Sequence, residues 1–162
     1  MKLYHGSNKY IKNELIPHKS FHYEPLVYAT SDYDYALVRA GKFDVNKFTF
    51  KEVYDGTTYT LIELIPNAFH EVFDTEGYIY EVDDSLFGNT YDLMQNEYVC
   101  LENCPIIRTI YIENVGQEIK MKFPHIQIIK YEESDDYWKT VRGGREGYLQ
   151  RRRERVERLW KS

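Results

Sequence analysis

The segment Pro25–Leu37, PLVYATSDYDYAL, joins a short apolar strand to a helix start. Leu26–Ala29 is predicted to form the strand, because apolar and aromatic side chains suit a half-buried pleated surface. The run Thr30-Ser31-Asp32 is typical of a helix N-cap, where a side-chain oxygen accepts a free backbone amide. A helix is therefore predicted from about Asp32 to Ala40, with Gly41 ending it.

Outward from this segment the chain is rich in strand-like runs separated by turn signals such as Glu76-Gly77. These runs are Lys2–His5, Thr57–Ile65, Tyr78–Val82, Glu97–Leu101, Ile106–Ile112 and Ile126–Tyr131. A linker-like break, Arg142-Gly143-Gly144, precedes a closing helix predicted over Glu146–Trp160. The order of elements predicts an α+β fold with mixed or antiparallel sheets, few helices and a C-terminal helix. We expect one domain over residues 1–141 and a basic helix, residues 142–162, packed on it.

The composition indicates an ordered chain without a membrane span. The chain has 162 residues, of which 43% are hydrophobic, and 16 of them are tyrosine. No apolar run approaches the ~20 residues that a transmembrane helix needs. The first residues carry no apolar signal segment, and Cys100 and Cys104 lie too close together to staple the fold, so we expect a reducing, cytoplasmic location. No cysteine or histidine spacing predicts a metal site.

Charge is unevenly distributed along the chain. The net charge is −5. Residues 139–162 hold nine basic and three acidic side chains, a net charge of +6, which leaves −11 on the remainder. The simpler interpretation is that the basic helix packs on its own acidic body; the alternative is contact with an acidic partner or a nucleic acid.

Three segments together resemble the ADP-ribosyltransferase superfamily, in the branch of diphtheria toxin and the poly(ADP-ribose) polymerases. They are LYHGS (Leu3–Ser7), PLVYATSDYDYAL (Pro25–Leu37) and QNEYVCLENCPIIRTIYI (Gln95–Ile112). That branch carries a His-Tyr-Glu triad on three separated strands, which the resemblance assigns to His5, Tyr28 and Glu97. Each motif is weak alone, and the order and spacing of the three carry the resemblance.

The resemblance implies that NAD is the co-substrate and that Glu97 is the catalytic carboxylate, bonded to the 2′-hydroxyl of the nicotinamide ribose. His5 would bond a ribose hydroxyl of the adenosine half. Ser7 is a candidate for the same ribose, and capping of the following turn is its alternative role. Gly6 would let the backbone approach the nicotinamide amide closely. Gln95, two residues before Glu97, is a candidate for selecting the acceptor.

The segment after the second strand would hold the nicotinamide. Tyr28 would stack on the ring, since flat aromatic contact suits a planar cation. Tyr33 and Tyr35 are both candidates for a second stacking ring. The hydroxyl of Thr30 or Ser31 would bond the nicotinamide amide, and N-capping is the alternative role of each.

Two features depart from the family pattern. Only about ten residues, Pro17–Leu26, are available for a loop over bound NAD, with His18, Lys19 and His22 as the basic groups near the pyrophosphate. Glu24-Pro25 also replaces the glycine usually found before the tyrosine motif.

The expected activity is mono-ADP-ribosyl transfer to a protein or nucleic acid, in a toxin-like or phage-related modifying enzyme. Three alternatives remain open. An RNA 2′-phosphotransferase would need an Arg-His-Arg-His set, which has no match here. A non-enzymatic NAD- or nucleic-acid-binding protein would use the same fold, with the arginines of residues 151–158 on phosphates. A plain structural or interaction protein is the third, with the triad match arising by chance.

Overall fold

The structure is a computed structural model that describes residues 1–18, 25–44, 46–52, 58–88 and 96–161. Its strands are β1 (Lys2–Ser7), β2 (Glu14–Leu15), β3 (Val27–Thr30), β4 (Phe48–Glu52), β5 (Tyr59–Glu63), β6 (Gly77–Asp83), β7 (Glu97–Cys100), β8 (Cys104–Ile112) and β9 (Ile126–Ile129). Its helices are α1 (Tyr33–Val38), α2 (Ala68–Phe73), α3 (Val115–Lys120), α4 (Asp135–Trp138) and α5 (Gly144–Lys161). Short 3₁₀ turns cover Asp84–Leu86 and Tyr131–Glu133.

The strands form two sheets, so the chain is α+β as predicted. The larger sheet has the order β2-β8-β6-β1-β3-β7, with antiparallel neighbours throughout. The smaller sheet has the order β4-β5-β9; β4 and β5 are antiparallel, and β5 and β9 are parallel. Four of the five described helices have six residues or fewer.

Helix α1 begins where the sequence predicts it. Asp32 is the N-cap, and its side chain accepts the backbone amide of Asp34. The helix ends at Val38, two residues before the predicted end, and Gly41 follows in a position without room for a side chain, against Val72 and Phe73. The buried residues of α1 join the main core, which α2, α3 and both sheets complete.

The two faces of the larger sheet have different partners. On one face, a Cβ on Gly6 would lie 1.9 Å from the carbonyl oxygen of Ala36, so strand β1 meets helix α1 through a residue without a side chain. Tyr4, on the same face, packs edge-on against Tyr33 at 5.5 Å. The opposite face has a smaller core that includes Leu3, Leu15, Val27 and Tyr80.

The two cysteines lie in this smaller core. Both thiols are buried and free. Burial raises the pKa of the Cys104 thiol to about 11, so it stays protonated near neutral pH.

Helix α5 starts at Gly144, two residues earlier than predicted, and Gly143 and Gly144 both have positive φ (73° and 66°). Its first turns pack on the body through apolar and aromatic contacts: Tyr148 and Leu149 join Ile62, Leu64 and Trp138. Within the described residues, the salt bridges include no arginine of this helix. In the described part of the chain, the first turns of the helix are therefore attached by packing and by hydrogen bonds such as that from Arg145 to Ser134, rather than by ion pairs to the acidic body. No helix in the described part of the chain combines the length and apolarity needed to cross a membrane.

Candidate functional site

The three strands that carry His5, Tyr28 and Glu97 are consecutive neighbours, β1-β3-β7, in the larger sheet. Tyr4 pairs with Thr30, and Thr30 pairs in turn with Glu97. Residues 23 and 69 positions apart in the sequence are therefore within one or two strands of each other. The sheet brings the three predicted residues into one region of the molecule.

His5 is tied to the strand of Tyr28 by its ring. Its Nδ1 lies 2.6 Å from the backbone carbonyl oxygen of Tyr28. Because a carbonyl only accepts, Nδ1 carries the proton, and Nε2 of the neutral ring is left as an acceptor. Burial lowers the pKa of His5, and the positive charges of His18 and Arg39 add to that lowering against the opposing hydrogen bond. The ring is therefore neutral near pH 7.

Strands β1 and β3 separate soon after they meet. Among the described residues they pair at one position, Tyr4 with Thr30, whereas β1 pairs with β6 along all six of its residues. Beyond that position, the His5 ring links the two strands. The sheet is thus opened between β1 and β3 beside two of the predicted residues.

A pocket of about 300 Å³ lies beside this opening. It is lined by His5, Ser7, Lys9, Ile11, Leu15, Ile16, His18 and Val27. The lining combines apolar walls with a hydroxyl and three nitrogen-bearing side chains, as expected of a small-molecule site. His5 and Ser7 were both predicted to contact the adenosine half of NAD, and both line this pocket.

Glu97 has a partner that the sequence did not predict. The hydroxyl of Tyr35 donates a hydrogen bond to Glu97 Oε1. Tyr35 is 7% exposed, and burial raises its pKa, so the hydroxyl keeps its proton and remains a donor. Tyr35 was predicted as a stacking ring; the structure places its ring in the core and its hydroxyl on the carboxylate.

The hydroxyl residues at the turn after β3 have different contacts. Thr30 is buried, and its hydroxyl accepts the backbone amide of Asp32 at 3.0 Å. Ser31 is half-buried, and its backbone amide donates to the carbonyl of Asn96 at 3.0 Å. Since Asp32 caps the helix, Ser31 is the better placed of the two hydroxyl residues to meet a ligand.

The predicted residues do not all share one face of the sheet. Tyr28 pairs with Val99 and Thr30 with Glu97, so Tyr28 and Glu97 lie on the same side. Tyr4 shares that side, and the alternation of side chains along β1 therefore places His5 and Ser7 on the other. A ligand that touches both sets must pass through the opening between β1 and β3. Tyr28 itself is half-buried.

A polar network beside Glu97 was missed by the sequence analysis. Buried Tyr59 donates its hydroxyl to Asp32 Oδ2 at 2.5 Å, and the side-chain amide of Asn96 donates to the Tyr59 hydroxyl at 3.4 Å. His125 Nδ1 lies 2.5 Å from Asp34 Oδ2. No sequence signal joins these residues, because His125 and Asp34 are 91 positions apart.

The same network contains the one cation-site geometry found among the described residues. Asp32, Asp34 and His125 place one ligand atom each within 4.8 Å of one another. The ammonium of Lys122 lies 3.3 Å from Asp34, and His125 reaches both carboxylates. The Lys122 ammonium and the His125 ring already face the two aspartates, so the cluster is an internal polar network at the start of α1.

Three predicted contact residues, Gln95, Lys19 and His22, lie outside the described residues. A scan of the sequence against protein-family models finds no match, and searches of curated proteins and of solved structures find none either.

Proposed function

We propose that this protein is an NAD-dependent mono-ADP-ribosyltransferase that transfers ADP-ribose to a macromolecule and releases nicotinamide. The proposal is carried by the order of the strands. The strands that hold His5, Tyr28 and Glu97 are consecutive neighbours, β1-β3-β7, and the sheet is open between β1 and β3. A chance match of three short motifs has no reason to place them on neighbouring strands beside a pocket.

Glu97 is the proposed catalytic carboxylate. Breaking the bond between nicotinamide and ribose gives a transition state with oxocarbenium character, as in glycoside hydrolysis. The leaving group is already cationic and needs no general acid, so the site must orient NAD and stabilise positive charge on the ribose. The hydrogen bond from Tyr35 supports this role because it holds one carboxylate oxygen and leaves the other for the ribose 2′-hydroxyl.

His5 is the proposed anchor of the adenosine ribose. The hydrogen bond to Tyr28 fixes both the ring orientation and the tautomer, so Nε2 is presented as an acceptor for a ribose hydroxyl. Ser7 lines the same pocket. A volume of about 300 Å³ suits part of a dinucleotide, with the nicotinamide end passing between β1 and β3 toward Tyr28 and Glu97.

Lys9 and His18 are proposed to meet the pyrophosphate. Both line the pocket with His5, and an ammonium or an imidazolium forms charge-assisted bonds with phosphate oxygens. Ser31 is proposed to bond the nicotinamide amide, since the Thr30 hydroxyl is engaged with the backbone. The neutral state of His5 keeps its own positive charge out of the adenosine end.

Calorimetric titration with NAD tests the proposal, with released nicotinamide followed by chromatography in the same samples. Tyr28→Ala removes the proposed stacking ring, and Tyr111→Ala, which removes a tyrosine 54% exposed on β8, is the matched control. We expect binding and nicotinamide release from the wild type and the control, and at least a tenfold loss of affinity in Tyr28→Ala. No heat of binding at millimolar NAD in the wild type would overturn the proposal.

A further inference from the structure

Helix α5 carries a group of arginines that no contact in the fold explains. Arg151, Arg153, Arg155 and Arg158 are all exposed. Where these arginines do bond, the partner is neutral: Arg151 donates to the carbonyl of Arg142 at 2.8 Å and Arg153 to the amide oxygen of Gln150 at 2.9 Å. Charge is thus concentrated here without an anionic partner in the part of the chain that is described.

Three exposed arginines of α5 lie on one side of its axis. At about 100° per residue, Arg151, Arg155 and Arg158 fall within ~60° of one another on the helix circumference. We name these three residues the arginine stripe. Glu154 borders the arc of the stripe, about 40° beyond Arg158, and Glu157 lies about 100° beyond it. None of the three arginines forms an ion pair in the described part of the chain, so the stripe is open to a separate anion.

Helix α5 and the rest of the chain carry opposite net charges. Helix α5 holds seven basic and three acidic residues, a net charge of +4, which leaves −9 on the rest of the chain. One anchoring side chain is Tyr148, whose hydroxyl lies 2.6 Å from that of Thr49. At about 1.5 Å per residue, Arg155 and Arg158 lie roughly 10 to 15 Å further along the axis.

We propose that the arginine stripe of α5 binds the phosphate backbone of a nucleic acid. A nucleic acid strand presents about one negative charge per 3.4 Å, a linear density that matches three arginines within about two helical turns. Guanidinium groups are planar forks that bond phosphate oxygens in pairs, which favours arginine over lysine at such a surface. This inference goes beyond the NAD chemistry proposed above and does not depend on it.

Fluorescence anisotropy tests the inference with two labelled probes, a 20-nucleotide single-stranded RNA and a 20-base-pair DNA duplex. The test variant is Arg151→Gln, Arg155→Gln, Arg158→Gln, and the control is Lys42→Gln, Arg108→Gln, Lys130→Gln. Both triple variants lose three positive charges at exposed positions, so they change net charge equally. Arg152 is left intact because it contacts the hydroxyl of Tyr148 and belongs to the anchor.

For the RNA we expect wild-type affinity to fall about 20-fold between 50 and 200 mM salt, the dependence of about three neutralised phosphates. The stripe variant should bind at least tenfold more weakly at 100 mM salt and lose most of that salt dependence. The control should keep the affinity and the salt dependence of the wild type. The two probes show whether single strands or duplexes are preferred. Equal weakening of both variants, or equal wild-type affinity for a polyglutamate competitor, would overturn the inference.

Discussion

The Nδ1 atom of His5 lies 2.6 Å from the backbone carbonyl oxygen of Tyr28, where strands β1 and β3 have stopped pairing. One ring therefore joins the strands that carry two of the three proposed site residues. The bond requires a proton on Nδ1, which the neutral ring and the charged ring can both supply. The ring is therefore part of the fold as well as of the pocket. Protonation of His5 should therefore affect both the stability of the fold and binding in the pocket.

Stability should fall at acid pH because of His5. The folded pKa of His5 is lowered, mainly by burial, from its ordinary value of 6.5, so the unfolded chain binds the proton more readily. The contribution of the neutral ring is complete above pH 6.5 and is lost as pH falls from there through the folded pKa. We expect the free energy of unfolding of the wild type, measured in urea, to drop more between pH 7 and 5 than that of His5→Asn.

Asparagine is the informative replacement because its amide nitrogen can occupy the place of Nδ1 while nothing replaces Nε2. His5→Asn should therefore keep stability at pH 7 within ~1 kcal/mol and weaken NAD binding. Parallel pH profiles for the two proteins would show that His5 is not the group that titrates.

Glu97→Gln should leave NAD binding nearly intact and reduce nicotinamide release by about 10² to 10³, because it keeps shape and hydrogen bonding but removes the charge.

Tyr35→Phe tests the positioning of the Glu97 carboxylate. It should lower kcat by about tenfold with little change in KM and shift the pH profile of kcat, a change that loss of packing alone does not produce. Full turnover in Glu97→Gln would remove Glu97 from the catalytic role.

Gly6→Ala should destabilise the protein strongly. Its Cβ would lie 1.9 Å from the carbonyl oxygen of Ala36, a backbone atom that moves only if helix α1 moves. We expect a loss of at least ~3 kcal/mol in the free energy of unfolding, measured in urea. Gly88→Ala is the control, since nothing lies within 4 Å of its Cβ, and it should change stability by less than ~0.5 kcal/mol. Similar losses in both variants would show that α1 does not press on β1 as described.

Divalent cations should not stabilise the cluster of Asp32, Asp34 and His125. Lys122 and His125 already lie close to the carboxylates, so a metal ion would have to displace an internal ion pair. Thermal unfolding with EDTA, Mg²⁺, Mn²⁺ or Zn²⁺ should give melting temperatures within about 1 °C of one another. A saturable rise with one metal that disappears in His125→Gln would establish a metal site instead.

Strand periodicity and turn signals were sufficient for much of the fold. The strands predicted at Tyr78–Val82, Glu97–Leu101 and Ile106–Ile112 are confirmed within two residues at each end, as is the start of α1 at its Asp32 cap. Helices α2 and α3 were not predicted, because each has only six residues and short helices owe their stability to tertiary packing.

The sequence by itself determined the α+β class, the short strand predicted at Leu26–Ala29, and the residue types of the candidate site. These follow from local rules: alternation along a strand, a capping oxygen and a glycine beside a turn. Only the tertiary structure decided that Tyr35 meets Glu97, that His125 meets Asp34, and that His5 lies on the opposite face of the sheet from Glu97. Such contacts join residues dozens of positions apart, and they depend on strand order and register. Strand order and register are selected by the packing of the whole core and not by any local preference.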